Sequence, residues 1–175
     1  MKIICAVMTA FFVSGAALVW AEPAVQTPIQ LGESEVSVRQ KLGEPSKEVE
    51  SNLSMTGHTV LWYQSRGLSL DIDSVTKTVQ HITLIGEYRS EGWEVYSGKI
   101  AGDVDFSYSF DRVVQALGSS YQKDTFLDEE GGNTGNYYWD FETYTFAGEF
   151  WEMDYSENGR VYPKGGLKSA EIIKK

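Results

Sequence analysis

The sequence predicts an α+β fold in which a short helix followed by antiparallel strands occurs twice, with both sets of strands sharing one extended sheet. The first observation is a repeated segment: residues 29–43 read IQLGESEVSVRQKLG, and residues 104–118 read VDFSYSFDRVVQALG. The second observation is that each copy is followed by runs of alternating apolar and polar residues, which are typical of half-buried strands. Two such units, each with one apolar face, can bury those faces in a common core.

Each copy of the segment predicts a helix of two to three turns. In the first copy, Ser34 can cap the helix, Val38 and Leu42 lie one turn apart on one face, and Gly43 ends it. The second copy repeats the pattern 75 positions later with Ser109, Val113, Leu117 and Gly118. Helices this short are marginal in water, so we expect both to pack on a sheet.

Strands are predicted at 59–64, 68–73, 79–85, 137–141, 144–147, 150–155 and 167–173. In the second of these, Leu70 and Ile72 alternate with Asp71 and Asp73, so the two acids are expected to face away from the core. The helix spacing of 75 also pairs Tyr63 with Tyr138, which we expect to be equivalent residues.

The 150–155 strand has a similar alternation. We expect Trp151 and Met153 to face the core and Glu152 and Asp154 to face away from it. The four acids of the two alternating strands are then predicted to share one surface.

The first 21 residues predict a signal peptide. Lys2 precedes an apolar run, and Val19 and Ala21 are small residues at the two positions that a signal peptidase recognises, so we expect cleavage before Glu22 and a periplasmic or secreted protein. An uncleaved anchor is the alternative, because the run approaches the roughly 20 residues that span a bilayer. The remaining chain divides into a linker at 22–28, a first repeat at 29–85, a bridge at 86–98 and a second repeat at 99–175.

Composition limits the possible partners. Apolar residues make up 42% of the chain, enough for a packed core, and the only cysteine lies in the predicted signal peptide. The formal net charge of −10 disfavours binding to nucleic acid or to anionic lipid, and no membrane insertion is expected after cleavage. A protein with a basic patch, or a cation, is the favoured partner, although solubility alone would also explain the charge.

The repeated pattern resembles a known fold. A helix that ends in Leu42-Gly43-Glu44-Pro45, followed by the strand Leu61-Trp62-Tyr63, resembles the repeat of the β-lactamase-inhibitor-protein-like fold, and outer-membrane assembly lipoproteins of the small protein A type carry a similar single unit. The second copy departs from the pattern, because Gly118-Ser119-Ser120 has no proline. The resemblance implies tandem sheets whose concave surface grips another protein, as the inhibitor does.

Candidate catalytic and metal-binding patterns are weak. Ser74 and Lys77 have the Ser-x-x-Lys spacing of serine β-lactamases, but they fall in a predicted hairpin turn and no Lys-Thr-Gly follows. His58 and His81 are the only histidines, and a zinc site would need both together with carboxylates. We therefore predict no catalytic residue, no metal and no cofactor.

Two functions remain open. The first is an exported, non-enzymatic protein-binding module of a bacterial cell envelope or secretome, of the inhibitor, immunity or assembly-accessory type. Its predicted binding residues are aromatic and acidic side chains on the sheet face opposite the helices: Trp62, Asp71, Asp73, Tyr138, Glu152 and Asp154. The alternative is a small carbohydrate-active hydrolase that uses the same paired carboxylates.

Overall fold

The computed structural model describes residues 21–51, 57–86, 92–124, 134–157 and 159–175. The predicted signal peptide, apart from Ala21, and residues 87–91 of the predicted bridge lie outside these ranges. Among the described residues, no helix is both long enough and apolar enough to cross a bilayer.

The described chain forms two α-helices and ten strands. The helices are α1 (Glu35–Leu42) and α2 (Phe110–Leu117). The strands are β1 (Lys47–Ser51), β2 (His58–Tyr63), β3 (Leu68–Asp73), β4 (Val79–Ile85), β5 (Gln122–Asp124), β6 (Thr134–Asp140), β7 (Tyr144–Trp151), β8 (Tyr155–Glu157), β9 (Arg160–Tyr162) and β10 (Leu167–Lys174).

Eight of the strands form one antiparallel sheet in the order β1-β2-β3-β4-β10-β7-β6-β5, and β8 and β9 form a separate hairpin. The last strand, β10, pairs with β4 and so joins the strands that follow α1 to those that follow α2. The predicted α+β class is confirmed at this level: two helices and a mostly antiparallel sheet.

Both helices end at the glycines that the sequence predicts. Ser34 accepts a hydrogen bond from the Ser37 amide at 3.3 Å, and Gly43 ends α1 with a φ of 83°. Gly118 ends α2 in the same way with a φ of 96°. The two helices differ at their start, because the Ser109 side chain makes no capping hydrogen bond.

Both helices pack on the same face of the sheet. Val38 and Leu42 of α1 and Val113 and Leu117 of α2 are buried in one core cluster. The strand residues of that cluster alternate along the chain, as in β3, where Leu68, Leu70 and Ile72 are at most 1% exposed. Among the described residues, the largest fully buried side chains are Trp139, Tyr144, Phe146 and Phe150, all in the second half.

The segment at 22–28, which the sequence predicts as a linker, is docked on the rest of the described chain. Val25 forms a bridge with Ala101, and the Gln26 amide donates to the Ile100 carbonyl at 2.8 Å. At the segment's start, the Glu22 carboxylate accepts hydrogen bonds from the amides of Glu142 and Thr143 in the turn between β6 and β7. A segment whose backbone and side chains are bonded in this way is part of the fold.

Candidate functional site: the open face of the sheet

The sheet face opposite the two helices, here called the open face, carries a continuous row of side chains. The row crosses all eight strands through directly paired residues: Lys47, Trp62, Ser69, Thr83, Glu171, Ala147, Tyr138 and Gln122. We call this the central row. Trp62 and Tyr138 are five strand spacings apart in it, which corresponds to about 24 Å.

Four of the six predicted binding residues lie on the open face. Trp62 and Tyr138 stand in the central row, and Asp71 is paired with Val60 and His81 in the neighbouring row. Asp73 lies at the end of β3 opposite His58. All four side chains are partly exposed.

The other two predicted residues, Glu152 and Asp154, do not join them. Phe150 faces the helices and is 1% exposed, so Glu152, two residues later, lies on the helix side. There it accepts a hydrogen bond from the Tyr137 hydroxyl at 3.1 Å and pairs with Lys123. The predicted surface shared by four acids is therefore wrong.

Trp151 is buried, as alternation predicts, but by the β8–β9 hairpin and not by the core beneath the helices. Its ring stacks on Tyr155 at a centroid distance of 4.9 Å and on Tyr162 at 5.3 Å, so the β8–β9 hairpin covers it. The strand itself ends at Trp151, and Asp154 lies in the following loop, where it accepts from the Lys164 amide at 2.9 Å.

The predicted equivalence of Tyr63 and Tyr138 is also wrong. The Tyr63 hydroxyl donates to the Gly43 carbonyl at 3.2 Å, and it is the Trp139 indole that donates to the Gly118 carbonyl, at 2.8 Å. The residue that bonds the glycine at the end of α2 is therefore Trp139, one position later than the Tyr138 that the helix spacing predicts. That shift of one residue turns Tyr138 to the open face.

The centre of the open face holds a histidine between two carboxylates. His81 Nδ1 lies 3.8 Å from Asp71 Oδ2, and His81 Nε2 lies 3.2 Å from Glu171 Oε2. Nε2 is buried, and its approach to Glu171 lacks the alignment of a hydrogen bond, so the contact is ionic. Burial acts to lower the pKa of His81, but the two carboxylates outweigh it and raise the pKa to about 9.

Asp73 stabilises the turn between β3 and β4 through hydrogen bonds. Its Oδ1 atom accepts from the amides of Val75 and Thr76 at 3.0 and 2.6 Å and from the Thr76 hydroxyl at 2.9 Å. These bonds hold the pKa of Asp73 below its usual value. The carboxylate shapes the turn that also contains Ser74 and Lys77, so the predicted hairpin turn is confirmed.

The stretch of the central row from Glu171 to Tyr138 lines a polar depression of about 270 Å³. Its lining includes Asn136, Tyr138, Glu149, Ser169 and Glu171. Glu149 accepts from the Lys168 ammonium at 2.8 Å and from the Ser169 hydroxyl at 2.9 Å. The sequence gives no signal for Glu149 and Glu171. They come together because β7 pairs with β10, and no local sequence pattern predicts that pairing.

The other end of the row is aromatic. The Trp62 and Trp93 rings lie 5.4 Å apart, and the Lys47 ammonium lies 4.5 Å from the Trp62 ring centroid. Lys47 stacks on the ring as a cation on a π face, which fixes the orientation of the indole.

Among the residues that the structure describes, no group of three or more histidine, cysteine, aspartate or glutamate side chains is arranged to hold a metal ion. His58 lies 3.9 Å from Asp73 and His81 lies beside Asp71, so the two histidines belong to separate pairs.

No protein-family model matches the sequence. No curated protein sequence matches it either. Among solved structures, the chain is similar to a crystal structure of an extracellular protein containing an SCP domain from Bacillus anthracis. The TM-score is 0.39 with 11% identity, and the match covers 82% of this chain and 43% of that one, so the chain spans less than half of that protein.

Proposed function

We propose that this chain is an exported, non-enzymatic protein-binding module that grips its partner with the open face. The observation that carries the proposal is the central row, in which Trp62 and Tyr138 stand about 24 Å apart on a face that neither helix covers. Large aromatic side chains with a polar tip are the residues most often found at the centre of protein interfaces.

The side chains between these two aromatics favour close approach. Ser69, Thr83 and Ala147 are short, so a partner can reach the sheet between the two rings. Between the short side chains stands Glu171. Together with Asp71 and the His81 imidazolium between them, it gives the middle of the face one net negative charge. A partner with a basic patch complements that charge, and the chain's net charge of −10 would speed their encounter.

The proposed architecture is a tandem repeat of the β-lactamase-inhibitor-protein-like type. In support, the strands after α1 and the strands after α2 run outward in the sheet from the β4–β10 pair in opposite directions. Tyr63 and Trp139 each donate to the carbonyl of the glycine that ends the helix of their own half. In the inhibitor, tandem sheets grip a protein, and we propose the same use here.

Export is part of the proposal. The sequence supports it through the predicted signal peptide, with cleavage before Glu22. The place of action would then be the periplasm or the outside of the cell, and the role would be that of an inhibitor, an immunity factor or an assembly accessory.

A carbohydrate-active hydrolase has less support, because two of the carboxylates that it would need are already bound by other groups of the protein. Asp73 shapes the β3–β4 turn, and Glu152 is bound by Lys123 and Tyr137. A catalytic pair in a glycosidase needs two carboxylates free to act on one bond across a cleft.

The proposal is tested by affinity capture from an envelope extract and from culture medium. The immobilised protein should retain a specific protein that a W62A/Y138A double variant loses. The matched control is V36A, because Val36 is exposed on the helix side. Retention of the same protein by the wild type and both variants would contradict the assigned surface.

A further inference from the structure

A second site lies on the opposite side of the sheet, at the corner between α2 and the outer strands. A cavity of about 270 Å³ opens there, walled by the aromatic side chains Phe110, Tyr137, Phe150 and Trp151. Phe110 and Phe150 meet edge to face at 5.2 Å, and Phe110 and Tyr137 lie 4.5 Å apart, so these walls are held by one another.

In the corresponding corner beside α1, a network of ion pairs fills the space. There Arg39 donates to Glu35 on its own helix at 2.8 Å and to Glu48 on β1 at 2.7 Å, and it also pairs with Glu44. Glu48 is paired with Leu61 across β1 and β2, just as Lys123 is paired with Tyr137 across β5 and β6.

The two corners therefore share a backbone frame but differ in side chains. Counted from the glycine that ends each helix, Phe110 stands where Glu35 stands and Val114 where Arg39 stands. Replacing an ion network by aromatic rings leaves an apolar recess in place of a filled corner.

The rim of the recess carries more positive than negative charge. Glu152 is neutralised by Lys123 and accepts from Tyr137 at 3.1 Å. Gly135 leaves space beside this carboxylate, because a Cβ there would contact Glu152 Oε1. Lys164 also lines the recess. Its charge adds to that of Lys123 in lowering the pKa of Glu152, but none of the ion pairs among the described residues includes its ammonium group.

We infer that this recess binds a small apolar ring that carries one carboxylate, with the ring against the partly exposed Phe110 and Tyr137 and the carboxylate at the Lys164 ammonium. A cationic ligand would be repelled by Lys164, because the charge of Lys123 is already compensated by Glu152. The size of the recess fits one ring with a short acidic chain.

The experiment is a titration of the purified protein with 3-phenylpropanoate, followed by amide chemical shifts in NMR spectra. The neutral 3-phenylpropanamide is titrated as the matched ligand. We expect saturable shifts at Phe110, Lys164 and Gly165 at roughly millimolar acid, and binding of the amide at least tenfold weaker.

Two variants separate recognition from folding. K164Q should weaken binding of the acid about fivefold or more while leaving binding of the amide unchanged, since only the ionic contact is lost. K77Q, in the β3–β4 turn, should bind both ligands like the wild type. Equal affinity for acid and amide, an unchanged affinity in K164Q, shifts centred elsewhere, or no saturable shift would each overturn the inference. None of these results depends on the open face.

Discussion

His81 on β4 contacts Glu171 on β10 at 3.2 Å across the seam where the strands that follow α1 meet the last strand of the chain. The pair lies at the centre of the open face, with Asp71 on the other side of the imidazole. A positive imidazolium here compensates two carboxylates, so its protonation links the stability of the seam to the charge of the proposed binding surface.

Stability should fall as the pH rises from neutral to alkaline values. The pKa of His81 is raised from 6.5 to about 9 in the folded protein, so its contribution is complete below about pH 6.5 and is lost as the pH passes 9. Chemical unfolding at a series of pH values should show a loss of about 1–3 kcal/mol over this window. In H81Q that slope should disappear; a slope equal to that of the wild type would show that another group titrates.

The hydrogen bond from Tyr63 to the Gly43 carbonyl should stabilise the end of α1. Y63F keeps the ring in the core and removes only the hydroxyl, so we expect a loss of about 0.5–1.5 kcal/mol in the free energy of unfolding. Y121F is the control, because Tyr121 is 38% exposed. Equal stability of Y63F and the wild type would mean that water replaces the bond at no cost.

Each helix should be anchored by its last leucine. Leu42 and Leu117 are 8% and 7% exposed and belong to the core cluster, so L42A and L117A should each destabilise the protein by about 2–5 kcal/mol. Urea denaturation measures this directly. V36A, on the exposed side of α1, should stay within about 0.5 kcal/mol of the wild type. Losses that small at both leucines would contradict the packing of the helices on the sheet.

Glu22 should fix the docked segment to the β6–β7 turn. E22A removes the acceptor of the Glu142 and Thr143 amides, so both should exchange hydrogen faster, and the free energy of unfolding should fall by about 1–2 kcal/mol. Hydrogen exchange measured by NMR tests this. Unchanged protection of both amides would indicate that the turn holds itself.

The features that depend on local pattern could be predicted from the sequence. The strands at 68–73 and 79–85, the Ser34 cap of α1 and the glycines that end both helices depend on alternation, capping and backbone conformation, which act within a few residues. β1 and β5 were missed because edge strands are short and polar, as Lys47–Ser51 and Gln122–Asp124 are.

The site was harder to predict because it depends on register. Trp139 takes the place expected of Tyr138, since β6 is shifted by one residue and such a shift exchanges the faces. The contact of His81 with Glu171 needs β4 beside β10, a pairing between residues 90 positions apart that no local pattern reveals.

The rate at which a captured partner dissociates tests the central claim most directly. Measured by surface plasmon resonance, W62A and Y138A should each release the partner at least tenfold faster than the wild type, because buried aromatics hold an interface together. E152Q, altered on the helix side, should release it at the wild-type rate. Wild-type dissociation from W62A and Y138A, or faster release from E152Q alone, would contradict the assignment of the open face as the binding surface.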